Sequence, residues 1–486
     1  MSFFIRNTRG RGRRISKATD RKKSLTKSAN LIRKSGGEDE DEQLPAKKLK
    51  KIANYDDEIE SDSDVDISGE DRLRQTHYTS SEDEAETAQE KKLRLAKQYL
   101  ADLEADESQR REEDDIGRDI ISHRLKQDIL EQSGKLHKSV ATDYLPPSPA
   151  DIRVLRGHQL SITCLVISPD NQHIFSGSKD CSIIKWNVMT GKKVHIIPGG
   201  RKGTEKKHIG HTAHVLAIAI SSDGKYLASG DRNKLIHIWN PETFDLIHSF
   251  RGHRDAVSGL VFRKGSHQLF SASHDRSVKI WNLDEMAYVE TLFGHQYCIT
   301  AIDSLSRERA VTCGGRDNSI RIWKVIEESQ LVFIGHGGSV DCVSLINENN
   351  FISGADDNSL SVWSVMKKKP LICVQNAHSG EPSKPGGASQ ENWITAVCSL
   401  QFTDLVASAG SKDGYIKFWK CHNDFRSLDP VFSLPVAGFV NSLQFSSDGS
   451  FLVAGVGQEH KLGRWWRMKE AKNSICIVPL KKKGQT

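Results

Sequence analysis

From residue 151 onward the chain alternates short apolar runs with polar turns. Runs such as SITCLVI, QHIFSGS and CSIIKW follow one another at strand length, bounded by Gly, Asn, Asp and Ser, and predict β-strands rather than helices. The pattern then repeats as a unit. Gly-His pairs stand at 157–158, 210–211, 252–253, 294–295 and 335–336, with Ala377-His378 as a weakened sixth, and successive histidines are 53, 42, 42, 41 and 42 residues apart. Each pair is followed by an apolar strand, a second strand ending near Ser-Gly or Ser-Ala, a tight turn carrying Asp or a substitute, and a tryptophan. The tryptophans so placed are Trp186, Trp239, Trp281, Trp323, Trp363, Trp419 and Trp465.

Seven such units of about 40–45 residues match the period and Gly-His signature of WD40 blades, so the expected fold is all-β, a seven-bladed WD40 β-propeller over 151–480. A blade buries both faces against its neighbours. A turn Asp, a strand Ser, the Gly-His histidine and the Trp can therefore share one satisfied polar network inside an apolar stack. In the first unit these are His158, Ser176, Asp180 and Trp186; in the third, His253, Ser271, Asp275 and Trp281. They resemble a catalytic Ser/His/Asp set, but a set that recurs blade after blade is structural, because a nucleophile is needed once. The pattern lapses where Asn233 stands for the turn Asp, where Cys313 takes the usual Ser place, and where Ala437-Gly438 precedes the last strand set without a histidine. The seventh unit reads as FVNSLQF, SFLVAGVG, LGRWWRM and NSICIVPL, with Glu459 six residues before Trp465. Adding IRVL (152–155) gives one strand more than the 28 places of such a ring, so either IRVL or NSICIVPL closes the last blade.

The first 150 residues contain no Trp and no Cys. Residues 1–36 hold 12 Lys+Arg against Asp20 alone, whereas 37–150 hold 17 bases and 31 acids. Charge blocked in this way predicts a disordered tail over 1–83, basic and then acidic. The basic arm either neutralises nucleic-acid phosphates or simply solubilises the chain. Within the acidic block, PAKKLKK (Lys47, Lys48, Lys50, Lys51) has the composition of a nuclear import signal. Ser61, Ser63, Ser80 and Ser81 each have an acid three residues later, as at acidophilic phosphorylation sites. Between 84 and 143, Leu93, Ala96, Leu100 and Leu103, then Ile116, Ile120, Ile121, Leu125, Ile129 and Leu130, recur at helical steps. This helical segment presents stripes that dock either on the same chain or on a partner, and Tyr144 to Pro149 reads as a stiff linker.

Three apolar residues before an Arg run are too few for a signal peptide or a membrane span, so the chain is expected to be soluble and intracellular. Nine cysteines without a Cys-x-x-Cys pair predict small buried hydrophobes rather than disulfides or a metal site. Phosphate-binding Gly-rich loops, His-Glu-x-x-His and Gly-x-Ser-x-Gly are missing from the sequence, which favours a binding scaffold without cofactor over an enzyme. Residues 151–486 carry 40 Lys+Arg against 31 Asp+Glu. On the face that carries the Gly-His loops, Lys179, Arg232, Arg316 and Lys412 occupy turns, and Arg201, Lys202, Lys206 and Lys207 lie in the insertion 199–207. A second insertion spans 378–392. These cations make the face a candidate for RNA, against the alternative of a solvated loop fringe.

EKKLRLAKQYL (90–100), IRVLRGHQLSITCLVISPD (152–170), SKDCSIIKW (178–186) and above all VGQEHKLGRWWRMKEAKNSICIVPL (456–480) resemble the WD-repeat subunit of the U3 small nucleolar ribonucleoprotein. The resemblance covers roughly 90–480 and the order of the charged tail. It implies a nucleolar, nuclear protein that binds the box B/C region of the U3 RNA beside a kink-turn-binding protein, in a box C/D particle that guides early cleavages of the small-subunit ribosomal RNA precursor. The implied state is a monomer among other processome proteins, away from membranes. The competing class is a protein-only WD-repeat adaptor, a ubiquitin-ligase substrate receptor or a chromatin subunit. Ligase adaptors often carry Trp-Asp-x-Arg, whereas here Asn187, Asn240 and Asn282 follow the tryptophans.

Overall fold

The computed structural model describes residues 93–94, 97–98, 125–126, 129–130, 136–201, 203, 208–378, 392–422, 424–463 and 467–483. The tail 1–83, with its lysine cluster and serines, lies outside the described residues, and so do Lys202, Lys206, Lys207, Trp465 and Trp466. Residues 93–94, 97–98, 125–126 and 129–130 have helical backbone.

Among the described residues, twenty-eight strands form seven antiparallel four-stranded sheets. Blades 1 to 6 are continuous in sequence, at 162–197, 215–251, 257–293, 299–334, 340–374 and 394–435. Blade 7 is composite. Its three inner strands are Phe439–Phe445, Phe451–Gly457 and Ser474–Pro479, and its outermost strand is Arg153–Leu155 from the start of the domain. Arg153, Val154 and Leu155 pair with Ile477, Cys476 and Ile475. IRVL therefore closes the ring and NSICIVPL is the third strand. LGRWWRM is not a strand where it is described: 461–463 form a turn, and Arg467 makes only an isolated bridge with Glu459.

The innermost strands line up around the axis, each packed on the next blade. A side-chain hydrogen bond joins several of them. Ser258 donates to the Ile299 carbonyl at 2.6 Å, Thr300 to Val340 at 2.6 Å, Thr395 to Val440 at 2.7 Å, and Asn441 to Ile162 at 2.8 Å across the closure. Apolar side chains form seven buried clusters, one per blade interface, so the molecule has a ring of small cores instead of one centre.

Residues 136–145 depart from the expected helix and linker. They run as a strap over the turns joining the first and second strands of blades 6 and 7, on the face opposite the Gly-His loops. Asp404, fully buried, accepts the Val140 and Ala141 amides at 2.7 and 2.9 Å and the Ser139 hydroxyl at 2.9 Å. Ala141 and Tyr144 join the apolar cluster between blades 6 and 7, and the Tyr144 hydroxyl donates to the Gly449 carbonyl at 2.9 Å. Gly449 sits at φ 71°, and a Cβ there would meet the Tyr144 hydroxyl at 2.5 Å, so only glycine fits. The strap also pairs with the C-terminal segment, through Leu145 N to Lys481 O and Lys483 N to Asp143 O.

Candidate nucleic-acid interface

The Gly-His loops owe their position to the polar networks. His158 reaches Ser176 at 2.8 Å and Asp180 at 3.2 Å, while the Trp186 indole donates to Ser176 at 2.8 Å. In blade 3, His253 meets Ser271 at 2.7 Å and Asp275 at 2.9 Å, and Trp281 donates to Ser271 at 2.8 Å. Burial alone would raise the carboxyls of Asp180 and Asp275, but hydrogen bonds from the histidine and the following serine outweigh it and hold both well below the ordinary range.

Two expected substitutions are corrected. In blade 2 the partner of His211 is Asp231, at 3.1 Å, and Asn233 instead bonds Thr212 in the exposed turn. In blade 4 the hydroxyl is Thr312, which meets His295 at 2.8 Å and receives the Trp323 indole at 2.8 Å; Cys313 faces the opposite side. In blade 5 the Ser359 hydroxyl, 2.7 Å from His336, stands between that histidine and the turn carboxylate Asp357, to which it donates, and burial lowers His336 to about 4 against the pull of Asp357. Blade 6 completes the pattern with His378, Ser408, Asp413 and Trp419. In blade 7 the strand register sets Val436, Ala454 and Val478 where the others have His, Ser and Trp. Trp465 thus does not mark the third strand.

These networks hold two sets of loops on one face, and the sector over blades 2 to 4 is basic. Arg232 and Lys234, Arg254 and Arg276, and Arg316 are all exposed there. Lys234 and Arg276 take the left-handed turn position, at φ 73° and 69°, where blades 4 and 5 use Asn318 and Asn358. Blade 1 holds Cys181 and blade 6 Gly414 in the same conformation, both at φ 67°. The Arg316 guanidinium lies 5.6 Å from the centre of the Tyr297 ring. Two half-buried groups beneath the sector feel its charges. Burial raises the Cys298 thiol, Asp255 raises it further, and Arg316 and Arg276 pull it back. His274 is lowered chiefly by burial, opposed by Asp255, with Lys461 and Arg232 adding to the fall.

Of the residues proposed from sequence, Arg232 and Arg316 lie in this sector, and Arg201 is exposed at the entry of its insertion. Lys412 is half-buried on blade 6. Lys179 is only 5% exposed: its ammonium lies 3.7 Å from Glu459 and donates to the Gly463 carbonyl at 3.2 Å, which ties blade 1 to the blade 7 loop. It is a structural cation. Lys234, Arg254 and Arg276 were missed, although their places were legible: Arg254 directly follows a Gly-His pair and Arg276 a turn Asp. Among the described residues no group of three or more His, Cys, Asp or Glu is arranged to hold a metal, and no helix is long and apolar enough to cross a membrane.

A closed ring with Gly-His loops and indole-hydroxyl-imidazole networks is a WD-repeat propeller. The WD domain, G-beta repeat model matches residues 150–187, 203–240, 244–282, 286–324, 327–364, 386–420 and 429–463. U3 small nucleolar RNA-interacting protein 2 of Mus musculus is 61% identical over 399 residues, 82% of this chain and 83% of the relative. A solved structure described as "Structure of U3-55K" superposes with a TM-score of 0.66 at 59% identity, covering 69% of this chain and all of that one. A more distant relative, Ribosomal RNA-processing protein 9 of Saccharomyces cerevisiae, is 26% identical over 82% of this chain and 90% of its own length. The chain belongs to the family of WD-repeat, U3 small nucleolar RNA-interacting proteins.

Proposed function

We propose that this chain is a non-enzymatic scaffold of the U3 box C/D ribonucleoprotein, acting in the nucleolus in early processing of the small-subunit ribosomal RNA precursor. Family membership supports the particle and the pathway, since relatives carry the names U3 small nucleolar RNA-interacting protein and ribosomal RNA-processing protein. The observation that carries the RNA contact is the exposed run Arg232, Lys234, Arg254, Arg276 and Arg316 over three adjacent blades, with Arg201 exposed in the segment leading into blade 2. Exposed cations fixed on a rigid face neutralise successive phosphates at little ordering cost. Lys202, Lys206, Lys207 and Lys412 extend the same interface in this reading. The rim and the strap face are left for the kink-turn-binding protein and other processome proteins, with the chain as a monomer. The recurrence of the His-Ser-Asp set in several blades supports a structural role for it and no catalytic one.

The test is crosslinking and recovery of U3 RNA from cells expressing a chain with Arg232, Arg254, Arg276 and Arg316 changed to Glu. U3 recovery is expected to fall at least ten-fold while thermal unfolding stays nearly unchanged, because exposed charges contribute little to the fold. Undiminished recovery would reject the interface.

A further inference from the structure

The basic sector carries an aromatic feature that phosphate binding does not use. At the junction of blades 3 and 4 the buried His295 is bracketed two residues before and two after by Phe293, the end of the last blade 3 strand, and Tyr297, 73% and 40% exposed. The same two places hold Arg156 and Leu160 in blade 1, Ile209 and Ala213 in blade 2, Arg251 and Asp255 in blade 3, and Ile334 and Gly338 in blade 5. Among these, only blade 4 has aromatics at both. Phe293 pairs with Ser277, the residue after Arg276, so the ring stands at the edge of the cationic run. Arg316 lies over the Tyr297 ring, steadying it and adding a second planar surface. Large exposed rings set beside fixed cations are how single-stranded nucleic acid is held: bases stack on the rings while the cations follow the backbone.

We infer that the junction of blades 3 and 4 is a stacking platform for unpaired RNA bases, with Tyr297 and Phe293 as the stacking rings, Arg316 as the support of Tyr297 and Arg276 as the phosphate contact. This rests on the RNA reading above and narrows it to single-stranded RNA. Paired bases stack on each other and present no free face to these rings, so a duplex engages the cations alone.

Fluorescence anisotropy on the purified full chain separates the two readings, using a short labelled single-stranded RNA of mixed sequence and the same strand annealed to its complement, each titrated over a range of salt. Tyr297→Leu is expected to weaken the single strand about ten-fold. It should leave the duplex and the slope of log Kd against log salt unchanged, and Tyr297→Phe should restore wild-type binding. Phe293→Leu should act in the same direction. Arg232→Glu with Arg276→Glu should weaken both RNAs and flatten the salt slope. If the charge reversals weaken binding but Tyr297→Leu and Phe293→Leu do not, or weaken single strand and duplex alike, the platform is wrong and the RNA reading stands. If the charge reversals change neither RNA, the RNA reading falls and the platform with it. Unchanged thermal unfolding of each variant confirms that binding, not folding, is read.

Discussion

Blades 1 to 6 and blade 7 meet the same packing problem with different chemistry. In the first six, an imidazole, a hydroxyl and an indole tie the loop entering the blade to its own sheet, and each polar atom is matched inside an apolar interface. In blade 7 all three places are aliphatic or small, Val436, Ala454 and Val478, and the local network is gone. What replaces it comes from elsewhere: the strand Arg153–Leu155 on the outside, the Asn441 bond to Ile162 on the inside, and the strap held by Asp404 beneath. Polar networks hold a blade to itself, whereas the closing blade is held by segments remote in sequence.

The comparison can be broken first at the strap. Asp404→Ala strands the Val140 and Ala141 amides and the Ser139 hydroxyl, and should cost about 3–4 kcal/mol in urea unfolding, with proteolysis opening at 136–148. A loss within experimental error would show that the strap is not part of the fold. His253→Ala removes one quartet member and leaves Ser271 and Asp275 short of a partner, for about 1–3 kcal/mol. The corresponding truncation in blade 7, Val436→Ala, removes only two methyl groups and should fall at the lower end of that range in the same assay.

A stabilising variant sharpens the picture. Asp341 in blade 5 stands in the place occupied by the donors Ser258, Thr300, Thr395 and Asn441 in other blades. Burial raises its carboxyl to about 6, with Lys461 opposing and Asp356 adding to the rise. Its folded value lies above the unfolded 3.8, so the fold binds the proton more tightly and loses stability as pH climbs from about 4 to 6. Asp341→Asn removes the buried charge and supplies a donor toward the next blade. It should add about 1–2 kcal/mol at neutral pH and nothing at pH 4, by thermal unfolding in the two buffers.

His336 gives an effect of the opposite sign in pH. Its folded value of about 4 lies below the unfolded 6.5, so its contribution is complete above 6.5 and is lost as pH falls toward 4. Replacing it with Gln should flatten the stability profile across that window; a slope identical to wild type would contradict the assignment.

The blade count was legible because the Gly-His and Trp spacings recur in sequence. The misassigned members trace to turn length and strand register. Blade 4 has one more residue between its strand hydroxyl and turn Asp than blade 3, so counting back from Asp317 lands on Cys313, and a one-residue slip reverses the face. In blade 2 the carboxylate sits at the strand end, two residues ahead of the expected place. Tyr144 read as linker because its burial depends on Gly449, 305 residues away, and no local pattern encodes that. Lys179 is indistinguishable from a surface lysine until Glu459 is brought beside it. Charge on the Gly-His face was legible in kind, but its concentration over blades 2 to 4 follows from which loops the ring makes adjacent.

Building one sheet from both ends of the domain has a consequence for biosynthesis. While the chain leaves the ribosome, residues 153–155 emerge first and must wait, unpaired, until residues 474–479 have been made. Six blades can stack as they appear, but the circle cannot shut before the 474–479 strand has been made. A product cut short anywhere before residue 474 would carry two open strand edges, which invite aggregation and clearance, so only chains that include the 474–479 strand are fit to join a particle.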